Sequence, residues 1–89
     1  MKKNGYLIKV FNFNDSYELI LKDFINNLNR ITFDNQVSFE KCILSDTGKY
    51  IILLDVFSYN QKNSIIEFLK FSKVKTNIDY LCEKAIFHY

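Results

Sequence analysis

Apolar positions along this 89-residue chain switch between a period of two and a period near 3.6, and the switches predict its elements. Tyr6 to Phe13 reads Tyr-Leu-Ile-Lys-Val-Phe-Asn-Phe, rich in strand formers, and stops at Asn14-Asp15, where turn and cap chemistry begins. Tyr17, Leu21, Phe24, Leu28 and Ile31 then recur at helical spacing, and Ile20 and Ile25 widen the stripe. Asp15 with Glu18 has the form of a capping box, so a helix is predicted from Asp15 to about Arg30. After the polar loop Asp34-Asn35-Gln36, the residues Val37, Phe39 and Ile43 alternate with Ser38, Glu40 and Cys42. That pattern is a strand whose apolar face is broken by Lys41.

Ser45-Asp46-Thr47-Gly48 carries turn residues, with a glycine free to take a positive φ in a short hairpin loop. The run beyond it, Lys49 to Phe57, is apolar at both parities and interrupted by Asp55. A strand apolar on alternate residues buries one face, whereas one apolar throughout must be covered on both. Ser58 or Asn60 can cap a second helix running to about Lys73, with Ile65, Ile66, Phe68, Leu69 and Ser72 as its stripe. The last stretch supports two readings. Ile78, Leu81, Cys82, Ala85 and Ile86 are spaced for a helix that Thr76 could cap, while Ala85-Ile86-Phe87-His88-Tyr89 suits an edge strand. The preceding order β-α-β-β-α favours the strand, which completes an α+β, ferredoxin-like βαββαβ two-layer sandwich. Its antiparallel sheet has the order 4-1-3-2, with both helices on one face; the alternative is βαββα with a C-terminal helix.

Parity then sorts the two central strands. Tyr6, Ile8, Val10, Tyr50, Ile52, Leu54 and Val56 go beneath the helices, and Leu7, Lys9, Phe11, Phe13, Lys49, Ile51, Leu53, Asp55 and Phe57 go to the open face. Six of those nine are apolar, more than a soluble monomer commonly leaves bare. The face should therefore meet another protein, a second copy of the chain, or a cover made by the C-terminal residues. Burying even about 300 Å² of it would contribute roughly 7 kcal/mol before association costs are subtracted. Lys9 and Asp55 lie on adjacent strands and are expected to pair, because an isolated buried charge is costly.

Composition narrows the chemistry further. The length fits one domain, 1–89, and the absence of proline with only two glycines leaves few breakers and little room for long loops. Nine Phe and six Tyr supply much of the packing material. Asn, Lys, Ile, Tyr and Phe are all frequent, a bias that AT-rich coding produces on its own. Twelve basic against ten acidic side chains leave a net charge of +2, too small for an electrostatic nucleic-acid footprint. The lysines between Lys70 and Lys75 read as a solvated helix end. Cys42 and Cys82 form no CxxC pair and are expected to be free, buried thiols. The first apolar segment is broken by Lys9 and Asn12 and lacks a small-residue cleavage site, and no apolar run approaches the roughly 20 residues of a membrane span. A soluble cytoplasmic protein without membrane contact is expected.

His88 is the only histidine, so neither a metal site nor a nucleophile–base pair is expected, even with Cys82 nearby in sequence. Asp34, Glu40, Asp46 and Asp79 read as loop or solvent-face acids, and Gly5 and Gly48 are too isolated for a phosphate loop. The expectation is a non-enzyme with no cofactor.

Ile8-Lys9-Val10-Phe11-Asn12-Phe13 resembles the short central-strand motif of the RNA-recognition motif family, whose members share the βαββαβ order. Lys9 stands where that family has a stacking aromatic. Gly48-Lys49-Tyr50-Ile51-Ile52-Leu53 places aliphatic residues where its longer motif has a second aromatic and a small residue. The resemblance implies single-stranded RNA or DNA binding through Phe11, Phe13 and Phe57 with Lys9 and Lys49. In general character, compact, motif-free and AT-biased, the chain also resembles small inhibitors carried by phages and mobile elements, including anti-CRISPR proteins. That likeness implies steric blocking of a host protein complex. An aliphatic open face fits protein contact better than base stacking, so the leading expectation is a small protein–protein interaction module using Lys9, Phe11, Phe13, Lys49, Ile51, Leu53 and Phe57. The alternatives are the nucleic-acid binder and a ligand-sensing regulatory dimer.

Overall fold

Two helices lie across one face of a four-stranded antiparallel sheet. The computed structural model describes residues 1–32 and 34–89. The elements are β1 (Lys2–Phe11), α1 (Asp15–Ile31), β2 (Ser38–Ile43), β3 (Tyr50–Val56), α2 (Tyr59–Lys75) and β4 (Asp79–His88). The sheet order β2-β3-β1-β4 is that of the ferredoxin-like sandwich, and the C-terminal stretch is a strand. Every neighbouring pair of strands is antiparallel.

The core follows from the two periods meeting. Ile8 and Val10 of β1 and Ile52, Leu54 and Val56 of β3 are fully buried against Tyr17, Leu21 and Ile25 of α1 and Ile65 and Leu69 of α2. The stripe on α1 is narrower than its apolar content suggests. Ile20, at its flank, is 53% exposed, and Ile31, on the last residue of the helix, is 77% exposed. Phe24 and Leu28 pack at the margin of the core.

The cap of α1 sits one residue earlier than the expected capping box. Asn14 keeps an extended backbone and its Oδ1 accepts the Tyr17 N–H at 2.8 Å, while Asp15 is already helical. Asp15 and Glu18 both fall in the first turn, where a carboxylate is favoured by the helix dipole. Ser58 caps α2, accepting from the Gln61 N–H. Asn29 fixes the approach to β2 by pairing its amide with the Val37 backbone in both directions, each bond 2.8 Å. Gly48 takes φ +72° in the β2–β3 hairpin, the conformation for which glycine is suited there. Asn12 is also left-handed, at φ 57°, and ends the alternation of β1.

Candidate functional site

Alternate residues of all four strands build the face turned away from the helices. At its centre Lys9 stands between Leu53 of β3 and Leu81 of β4, with Leu7 and Phe11 two residues to either side on β1. Glu40 of β2 lies opposite Leu53, and Cys42 opposite Ile51. Lys9, Phe11, Leu53 and Phe57 are half-buried by their neighbours, Ile51 is 9% exposed, and Leu81 is 60% exposed. The C-terminal residues, one conceivable cover, pair along the whole of β1 as β4 and so widen the face.

Two expected members leave this face. Phe13 packs against the core, because the left-handed Asn12 breaks the period-two rule just before it. Lys49 precedes the first residue of β3 and lines a shallow concavity with Phe13, Asp15, Lys41 and Tyr50, the last two on the helix side of the sheet. Lys9, Phe11, Ile51, Leu53 and Phe57 are the expected residues that the sheet does bring together.

β4 adds residues that the sequence reading passed over. Leu81, Glu83, Ala85 and Phe87 share the face with Leu7 and Lys9. Period two alone selects them once the stretch is known to be a strand, but its apolar residues also fit a helix. Phe57 meets Phe87 edge-on, with centroids 5.0 Å apart and planes at 70°. Tyr89 lies 6.2 Å from the same ring, and the Lys3 ammonium 4.3 Å from its centroid. This end of the face is thus partly covered from within the chain.

The expected Lys9–Asp55 pair is replaced. Glu83 of β4 and Asp55 of β3 both lie opposite Leu7, each diagonal to Lys9, and it is the glutamate, longer by one methylene, whose Oε1 stands 3.4 Å from Lys9 Nζ. No lysine or arginine bridges Asp55 or Glu40 among the described residues. Three carboxylates, Glu40, Asp55 and Glu83, therefore rim the apolar centre against Lys9 and, at the aromatic end, Lys3. Desolvation pushes the Cys42 thiol up, with the Glu40 carboxylate adding to the rise.

The histidine and the cysteine nearest it in sequence do not meet. Both cysteines are free but not buried as expected: Cys42 is half-buried and Cys82 exposed. Cys82 and His88 are six residues apart on one extended strand, which separates them by about 20 Å. Among the described residues no group of three His, Cys, Asp or Glu side chains is placed to hold a metal ion, and no helix is long and apolar enough to cross a membrane. Comparison of the chain with family models, with curated proteins and with solved structures returns no match.

Proposed function

We propose that the chain is a small, non-enzymatic module that binds another protein, or a second copy of itself, through the open sheet face. The carrying observation is the contiguous patch of Leu7, Phe11, Leu53 and Leu81 around a Lys9 whose charge is matched by Glu83. The apolar centre favours burial, and Lys9 enters the contact paired with Glu83 rather than as an isolated charge, whose burial would cost more. Such a module acts by covering its partner's surface, which is also how a small phage or mobile-element inhibitor blocks a larger complex in the cytoplasm.

Single-stranded nucleic acid suits the face less well. Ile51 and Leu53 stand where stacking rings would be needed, and Glu40 and Asp55 repel phosphate. A photo-crosslinking amino acid at position 53, with exposed position 22 as control, tests the proposal. A discrete protein adduct from position 53 alone supports it. Equal yields from both positions, or an adduct with nucleic acid, would sink it.

A further inference from the structure

A concavity of about 850 Å³ opens where β1 and β4 run on past the end of β3, walled by Asn4, Tyr6, Phe57, Tyr59, Lys84 and Ile86. Of the residues expected on the open face, it includes only Phe57. Its size falls within the roughly 300–1,000 Å³ of small-molecule sites. No carboxylate lines it among the described residues.

Two cations flank it. Lys84 stands on the wall, opposite Tyr6 across the β1–β4 ladder. Lys62 of α2 holds its ammonium 4.6 Å from the Tyr59 ring centroid and 5.2 Å from that of Tyr6. Contact with two ring faces positions that charge without cancelling it. Neither lysine bridges a carboxylate among the described residues, and the first turn of α2 carries no acid. The notch is thus cationic.

Its walls are also aromatic. Tyr6, Phe57 and Tyr59 offer three rings, and Tyr59 is 63% exposed, so its surface is available to a planar ligand. Inorganic phosphate would satisfy the lysines and leave the Tyr59 ring bare. We propose that the notch binds a nucleotide-class ligand, its phosphate meeting Lys84 and Lys62 and its planar ring lying against the exposed Tyr59. This site stands on observations separate from the open-face patch, so the two proposals fail independently.

Isothermal titration of the full chain at low salt with adenosine monophosphate, inorganic phosphate and adenosine separates the contributions. The monophosphate should saturate one site, with phosphate and adenosine each about tenfold weaker or more. Lys84→Ala and Lys62→Ala should each weaken the monophosphate about tenfold. Tyr59→Ala should weaken the monophosphate by more than it weakens phosphate, since phosphate loses only the positioning of Lys62. Circular dichroism confirms that each variant is folded. The proposal is overturned by the absence of saturable binding up to about 10 mM monophosphate. Equal affinity for monophosphate and phosphate, or monophosphate binding untouched by Lys84→Ala, also overturns it.

Discussion

A β-carbon built on Gly5 would stand 2.5 Å from the Val56 carbonyl oxygen, so β1 and β3 approach one another there at a distance that glycine permits. The same atom would come within 3.0 Å of the Phe57 ring and 3.1 Å of the Phe87 ring. A backbone oxygen cannot swing aside as a flexible side chain can, and two rings close the other exits. Gly5→Ala should therefore destabilise the fold by about 1–3 kcal/mol, read as a lower urea midpoint with an unchanged slope. A midpoint equal to that of the wild type would show that the strands separate there at little cost.

Leu53 and Leu54 are neighbours on β3 with opposite duties. Leu54 is fully buried in the core, and Leu53 faces away from the helices between Glu40 and Lys9. Leu53→Asp should leave the far-ultraviolet dichroism intact and abolish adducts from crosslinkers placed elsewhere on the open face. Leu54→Ala should cost about 2–5 kcal/mol by opening a cavity. If Leu53→Asp unfolds the chain as Leu54→Asp would, Leu53 belongs to the core and the open-face proposal falls.

How far the sequence reveals this architecture depends on which residues have one pattern and which have two. β1, α1, β3 and α2 are legible because Ile8 and Val10, Tyr17 and Leu21, Ile52 and Leu54, and Ile65 and Leu69 obey a single period and all reach the core. β4 is less legible, since Leu81, Cys82, Ala85 and Ile86 satisfy helical spacing while the edge position asks only for extended backbone. The candidate face inherits this split. Its β1 and β3 residues can be read from parity, but Phe13 cannot, because nothing local announces the left-handed Asn12. The Lys9–Glu83 bridge depends on a register between the two chain ends, which no local pattern encodes.

The cap of α1 distinguishes Asn14 from Asp15. Asn14 Oδ1 holds the Tyr17 N–H, whereas Asp15 contributes its charge to the first turn. Asn14→Ala should cost about 1 kcal/mol at any ionic strength, the usual effect of losing a cap. Asp15→Asn should cost less, and its effect should fade in salt as a dipole interaction does. Thermal melts of both variants at low and high salt make the comparison; a larger, salt-independent loss for Asp15→Asn would return the cap to that residue.

Acid should expose the junction at the start of β4. Asp79 accepts from Asn12 Nδ2 at 2.8 Å and bridges Lys73 Nζ at 3.1 Å, tying β4 to the end of β1 and to α2. Lys73, and after it Asn12, hold the Asp79 carboxyl below its ordinary value. A carboxyl depressed by folding favours the folded state when ionised. Its contribution is complete above the unfolded value near pH 4 and is lost as the pH falls through the lower folded value. The difference in melting temperature between wild type and Asp79→Asn should thus be largest near about pH 6 and shrink steadily below about pH 4. Lys73→Ala should remove most of that pH dependence, because Lys73 is the main cause of the shift, while Asn12→Ala should remove less. A wild type and an Asp79→Asn variant whose melting temperatures run parallel from about pH 6 to about pH 2 would show that the bridge does not persist in solution.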